Sequence, residues 1–184
     1  MRKDRFLRRK AIHLTGGVIC IILYLLGKLI SVGTLPILIV ASSLLLLYLL
    51  YIFLGIRWKF FEEFLRKTVK RGRLDRDAVL YGIGVISSCI LFPEEIAMLS
   101  ILILSFSDPL SALVGRVVFK TRDKSLRGSL IFFLTSFGIS IFFLKVEWAF
   151  LVSTISTGVE ALSRKFENLL IPIVTGFVAL LCKV

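Results

Sequence analysis

Residues 104–130, LSFSDPLSALVGRVVFKTRDKSLRGSL, decide how this chain is read. The stretch begins inside an apolar run, sets Asp108 within it, closes the run with Arg116 and Lys120, and opens into a short basic loop. A charged side chain inside a membrane span costs about 2.5–3.5 kcal/mol on insertion scales, so such residues turn toward a bundle interior and mark function. Ser105, Asp108, Ser111/Ala112 and Gly115 recur three, four or seven residues apart and therefore share one helix face. Small residues on that face allow close helix approach, and the polar ones need a partner inside the bundle. Pro109 removes a hydrogen-bond donor and disfavours helical geometry at Asp108. Asp-Pro is also the pair expected at the N-cap and first position of a helix. The expectation is a kink or break at Asp108, with a half-helix from Pro109 to about Phe119. The plainer alternative is a proline kink with Asp108 bonded to a neighbouring helix.

Outward from this stretch, the 184 residues are 57% hydrophobic with a mean hydropathy of +0.92, too apolar for a soluble domain of this size. Apolar runs fall near 11–30, 34–56, 78–92, 96–119, 129–144, 148–163 and 168–182, each to be compared with the roughly 20 residues that one span needs. A spanning segment must satisfy its own backbone, so the expected fold is all-α: one polytopic membrane bundle of about seven transmembrane helices over residues 1–184. Six is the alternative count, because the third run and the last three are short. No small-residue cleavage site follows the first run, which is read as retained. Cys20, Cys89 and Cys182 sit in apolar runs without metal spacing and read as small buried hydrophobes.

Lys and Arg number 24 against 12 Asp and Glu, a formal net charge of +12. In a soluble protein this excess would suggest nucleic acid. Here the basic residues flank apolar runs, so anionic lipid headgroups and an anionic substrate are the expected partners, with no nucleic acid. Six basic residues lie in 1–10, eight in 57–77, four in 120–128 and two at 164–165. Only Lys28, Lys145 and Lys183 fall at the opposite ends of the runs. This bias places the N-terminus and the basic segments in the cytoplasm. Within 57–77, Trp58, Phe61, Leu65 and Thr68/Val69 recur at helical spacing among basic residues, the pattern of an amphipathic helix lying in the headgroup plane. Simple positive-inside anchoring explains the same charges.

A second polar stripe runs through Ser153, Ser156/Thr157, Glu160 and Arg164. Glu160 and Arg164 stand four apart and can pair at the membrane edge. Glu160 also lies on the serine-bearing face, which would let it approach the Asp108 helix; two carboxylates on facing helices suit Mg²⁺, or one metal ligand and one base. In the loop KTRDKSLRG, Lys124, Ser125 and Gly128 have the charge, hydroxyl and backbone that hold phosphate oxygens. Arg9, Lys10 and His13, the sole histidine, open the first apolar run. Gly82 and Gly84 begin a G-x-G inside an apolar helix, better explained by helix packing. No G-x-x-x-x-G-K-[ST], G-x-S-x-G or H-E-x-x-H sequence occurs.

Taken in order, R-K-x-x-H (Arg9, Lys10, His13), Asp108 with Ala112, Gly115 and Arg116, K-S-x-x-G-S (Lys124, Ser125, Gly128, Ser129), then Glu160, Asn168 and Pro172 resemble the CTP-dependent lipid-alcohol kinases. These include dolichol kinase, phytol kinase and the yeast-type diacylglycerol kinase, and are related to phosphatidate cytidylyltransferases. The resemblance covers nearly the whole chain. Ser107 and Pro109 stand where the family usually has Gly and Ala, Arg127 stands where it has an acidic residue, and Glu167 replaces Asp before Asn168. The resemblance implies transfer of the γ-phosphate of CTP to the hydroxyl of a membrane lipid alcohol, polyprenol or diacylglycerol in type. It implies Mg²⁺ on Asp108 and Glu160, with Asp108, Glu160 and His13 catalytic. Arg9, Lys10, Gly115, Arg116, Lys124, Ser125, Gly128, Ser129 and Asn168 would bind nucleotide and phosphate. The implied site faces the cytoplasm from the cell membrane of a prokaryote, or from the endoplasmic reticulum of a eukaryote. Two other readings stand beside it: a cytidylyltransferase making a CDP-lipid, and a non-enzymatic transporter or scaffold.

Overall fold

The seven apolar runs fall on seven helical rods among the described residues. A computed structural model describes the backbone of residues 2–54, 75–117, 125–163 and 165–183, and side chains from residue 9 onward within the first segment. The rods are α1 (Arg2–Leu29), α2 (Leu35–Leu54), α3 (Arg76–Leu91), a third long rod described below, α6 (Leu126–Ser140), α7 (Val146–Leu162) and α8 (Glu167–Lys183). No strand occurs among the described residues. Three stretches are long and apolar enough to cross a membrane: Arg9–Leu29, Leu35–Phe53 and Glu94–Arg116. Large apolar side chains such as Ile22, Leu25, Leu46 and Phe53 are exposed on the first two. An apolar exterior around a packed interior is consistent with an integral membrane protein.

The rod over Glu94–Val117 is the centre of the bundle. It consists of α4 (Glu94–Leu102), a π-helical turn at Ile103–Ser107, and α5 (Asp108–Val117). It packs against α1, α3, α6 and α8, while α2 leans on α1 and α3, and α7 leans on α6 and α8. Ala97, Leu99, Ile101, Ile103 and Leu104 are fully buried, as are Ser100, Ser105 and Ser107.

Of the expected kink or break at Asp108, the break is corrected here. Asp108 has helical backbone angles, φ −64° and ψ −50°, so it does not adopt the extended geometry of an N-cap. The chain instead absorbs Pro109 by widening into the π-helical turn just before it. A wider turn displaces the carbonyl that the proline ring would strike, and the missing N–H costs least where the ladder is already shifted. The rod stays continuous, and its description ends at Val117, so the expected end near Phe119 lies outside the described residues.

Two further boundaries differ from expectation. The basic N-terminus is helical from Arg2, which puts Arg9, Lys10 and His13 on neighbouring turns of α1. Residues 57–74 of the 57–77 segment lie outside the described residues. Its last residues belong to α3: Asp75 is the N-cap, its carboxylate accepting from the Asp77 amide at 3.1 Å. The Asp75 amide in turn donates to the Tyr48 hydroxyl at 2.8 Å, tying α3 to α2.

Gly84 shows why α3 and α8 run so close. A Cβ at this position would strike the backbone carbonyl of Asn168, which cannot rotate away as a side chain can. Overpacking of this kind costs typically 1–3 kcal/mol. Gly84→Val is therefore expected to lower the thermal unfolding midpoint in detergent by an amount corresponding to about 2 kcal/mol or more. Gly138→Ala, where an added Cβ meets nothing within 4 Å, should leave the midpoint nearly unchanged.

Candidate functional site

Asp108 sits where the central rod changes pitch, with only 3% of its surface exposed. A carboxylate this buried needs a counter-charge. Lys10 provides it, its Nζ donating to Oδ2 at 2.6 Å, and His13 Nδ1 lies 3.8 Å from the same oxygen. Lys10 and His13 are three apart on α1, so one helix face delivers both to Asp108. His13 Nδ1 is buried and makes no hydrogen bond among the described residues. The imidazole is held by stacking on Tyr81 of α3, ring centroids 4.4 Å apart and planes inclined by 27°. The Tyr81 hydroxyl shares a hydrogen bond with Ser105 Oγ at 2.8 Å, one turn before Asp108 on the central rod. Gly16 and Gly17 lie one turn beyond His13. A Cβ on Gly16 would stand 2.8 Å from the Tyr81 hydroxyl, and one on Gly17 would stand 2.7 Å from Ser105 Cβ. Their lack of side chains lets α1 close on the rod and on Tyr81.

The first turn of α6 adjoins the other side of α5. Ser125 is its N-cap, accepting from the Gly128 amide at 3.2 Å in extended geometry. A Cβ on Gly128 would come within 3.7 Å of the Ser111 carbonyl of α5. Ser129 Oγ donates to Glu160 Oε2 of α7 at 3.2 Å. Helix α6 packs against both α5 and α7, so it lies between the helices that carry Asp108 and Glu160. The expected direct facing of their two helices is replaced by an arrangement in which α6 connects them. Glu160 is buried, as expected for the serine-bearing face that it shares with Ser153 and Ser156. The Ser156 hydroxyl bonds Thr175 of α8 at 2.7 Å.

Arg9 points along α1 to α3, where it pairs with Asp77 and lies 3.7 Å from Asp75 Oδ2. Asn168, buried in the first turn of α8, donates from Nδ2 to the Asp77 carbonyl at 3.0 Å. Its Oδ1 is buried without a hydrogen bond among the described residues. Gly115 is buried two turns beyond Asp108, and Arg116 follows half-buried in the last turn of α5. Lys124 lies outside the described residues.

The described contacts bring Lys10 and His13 to Asp108, Arg9 and Asn168 to Asp77, Ser125 to the Gly128 amide, and Ser129 to Glu160. Asp77 and Tyr81 join them without having been singled out in the sequence. Tyr81 sits in an apolar run that reads as ordinary core, and Asp77 closes a segment read as interfacial. Their only sequence signal is position: each lies within a turn or two of the start of α3. Oxygen donors are the hard ligands that suit Mg²⁺, which is commonly held by one or two carboxylates plus substrate phosphates. Among the described residues no cluster of three or more His, Cys, Asp or Glu side chains could hold a metal by itself. Asp108 and Glu160 are each oxygen donors of the kind that Mg²⁺ takes, and they stand on helices joined through α6.

Comparison with known proteins gives one curated relative at 32% identity over 183 residues, spanning 90% of this chain and 89% of the relative: "Uncharacterized protein RP860" of Rickettsia prowazekii (strain Madrid E). No family model matches, and no solved structure matches.

Tyr81 gives the test of this geometry. Tyr81→Phe keeps the stacking on His13 and loses the hydroxyl bond to Ser105, which should cost about 1 kcal/mol of stability. Tyr81→Ala removes the packing as well and should cost about 3–5 kcal/mol. Thermal unfolding in detergent distinguishes the two; equal, negligible losses would mean that Tyr81 does not brace this end of the bundle.

Proposed function

Because the chain belongs to the same family as the uncharacterized Rickettsia prowazekii protein RP860, whose name supplies no activity, we propose its function from the site itself: a CTP-dependent kinase acting on a membrane lipid alcohol. The observation that carries this reading is the convergence of Lys10 and His13 on one oxygen of buried Asp108, in a bundle that also joins the Ser125–Ser129 turn to Glu160. That combination has acid–base groups, cations and a helix N-terminus, which is what phosphoryl transfer asks of a protein: positioning and neutralisation of charge. The resemblance to the lipid-alcohol kinases gives the nucleotide and the class of acceptor.

In this reading all seven rods are transmembrane, with the N-terminus cytoplasmic. Helices α3, α6, α7 and α8, of 15 to 17 residues, span by virtue of flanking residues and their contact with the longer rods. The site faces the cytoplasm from the cell membrane. The alcohol enters from the bilayer, and the triphosphate enters from water.

The residues then take the following roles. Lys10, Arg116 and Lys124 neutralise phosphate oxygens, and the first turn of α6 presents its N-terminus and the Ser129 hydroxyl to the phosphate. Arg9 adjoins Lys10 on α1, paired with Asp77 and near Asp75. Asn168 bonds the nucleotide. His13 Nδ1 accepts the proton of the attacking hydroxyl, and the carboxylate of Asp108 stabilises the imidazolium that forms. Asp108 and Glu160 would hold Mg²⁺, which when bound screens the charge of the transferring phosphoryl group. The apolar exterior of α1 and α2 keeps the alcohol's hydrocarbon in lipid while its hydroxyl reaches the site.

Purified protein incubated with Mg²⁺, CTP labelled at either the α- or the γ-phosphate, and a panel of polyprenol, phytol and diacylglycerol tests the reading. The γ label is expected to appear on a lipid. His13→Ala and Asp108→Asn are each expected to lower the rate by about 100-fold or more in folded protein. Transfer of the α label would instead identify a cytidylyltransferase, and transfer of neither label would remove the enzymatic reading.

A further inference from the structure

A base acts only if it is aimed, and no hydrogen bond among the described residues aims His13 through Nδ1. That nitrogen is buried and lies 3.8 Å from Asp108 Oδ2, beyond hydrogen-bonding distance. A catalytic imidazole is ordinarily oriented by a hydrogen bond to one of its two nitrogens. Here the described contact that sets the plane of the ring is the stack on Tyr81, with centroids 4.4 Å apart. Tyr81 is fixed in turn at its far end, where its hydroxyl shares a hydrogen bond of 2.8 Å with fully buried Ser105 Oγ. Ser105 stands three residues before Asp108 on the central rod, so Tyr81 is anchored to the element that carries the carboxylate. Gly16, one turn beyond His13, leaves the space for that anchor. A Cβ there would stand 2.8 Å from the Tyr81 hydroxyl, and its other near neighbours are also atoms of the Tyr81 side chain.

From this circuit of contacts we infer that Tyr81 is a positioning residue: its ring, tied to Ser105, holds the His13 imidazole so that Nδ1 stays directed at Asp108 and at the attacking hydroxyl. The inference rests on the reading of His13 as the base. The circuit runs from α1 through α3 to the central rod and back to α1, so the base and the carboxylate that stabilises its charged form are registered against each other by a third helix. Tyr81 acts through the imidazole and not on the substrate. Loss of the stack would let the ring tilt, and a misplacement of about 1 Å at a reacting group can cost about 100-fold in rate. Loss of the Ser105 bond alone leaves the stack and loosens its anchor. That bond contributes about 1 kcal/mol, or about fivefold.

His13 is the sole histidine, so the full chain labelled with ¹³C-histidine gives one imidazole Cε1–H correlation in detergent. The shielding by the Tyr81 ring should displace this signal upfield in the wild type, and Tyr81→Leu should move it downfield. With CTP labelled at the γ-phosphate and the acceptor lipid, Tyr81→Leu should lower kcat by about 100-fold with the KM for CTP unchanged. Tyr81→Phe and Gly16→Ala, which break the anchor and keep the ring, should each lower it by about fivefold. In a His13→Ala background, Tyr81→Leu should cost no further rate, whereas a merely structural role would still cost. Equal costs with and without His13, or an imidazole signal unmoved by Tyr81→Leu, would overturn the positioning role. Transfer of no label by the wild type would remove the kinase reading, and the imidazole signal would then decide the positioning by itself. If Tyr81→Leu does not fold, Gly16→Ala decides by the same readouts, because its added methyl meets the movable end of Tyr81.

Discussion

The ion pair between Lys10 and Asp108 is the interaction around which one end of this bundle is arranged. Asp108 stands in the most buried rod of the chain, beside fully buried Ser105 and Ser107. An ionised carboxylate in such surroundings needs a positive charge within hydrogen-bonding distance. That need brings α1 against α5. Once α1 is there, its face sets His13 on the same oxygen and against the Tyr81 ring, and it turns Arg9 toward Asp77. Gly16 and Gly17 make the approach sterically possible. A single buried charge thus accounts for the relative placement of α1, α3 and the central rod.

The π-helical turn at Ile103–Ser107 serves the same arrangement from the other side. A proline after Asp108 must disturb the hydrogen-bond ladder somewhere, and the rod takes the disturbance as an extra-wide turn in place of a break. Two half-helices with a free N-terminus at Pro109 would have offered backbone amides to an anion. The continuous rod offers none there, and the helix N-terminus that approaches α5 is that of α6, where Gly128 lies beside the Ser111 carbonyl. In the proposed kinase the phosphates accordingly lie at the Ser125–Ser129 turn, between the helices that supply Asp108 and Glu160, and not on Asp108's own helix end.

Much of the fold was legible in the sequence, because hydrophobic runs are written residue by residue and a membrane leaves few alternatives to helices. All seven runs fall on helical rods, and Asp108 stood out because charge is rare in such a run. The readings that failed depend on information which no local pattern carries. The π-helical turn is a compromise between Pro109 and its neighbours in three dimensions. The helicity of the basic N-terminus gains from contacts of Arg9 and Lys10 with aspartates 68 and 98 residues away in the chain. Tyr81 looks like any aromatic in an apolar run until the stacked imidazole of His13 is seen beside it. Glu160 lies on a buried face as its serine-bearing stripe suggested, yet one of its partners, Ser129, comes from the helix between the two that were expected to meet.

The central claim is that Lys10 and Asp108 stabilise each other inside the bundle. A double-mutant cycle on thermal or denaturant unfolding in detergent, with Lys10→Met, Asp108→Asn and the double variant, measures it directly. Each single change leaves a buried charge without its partner and should cost about 3–5 kcal/mol, whereas the double change removes both charges and should cost far less than the sum. Additive losses across the cycle would contradict the account, because they would mean that the two side chains do not depend on each other in the folded protein.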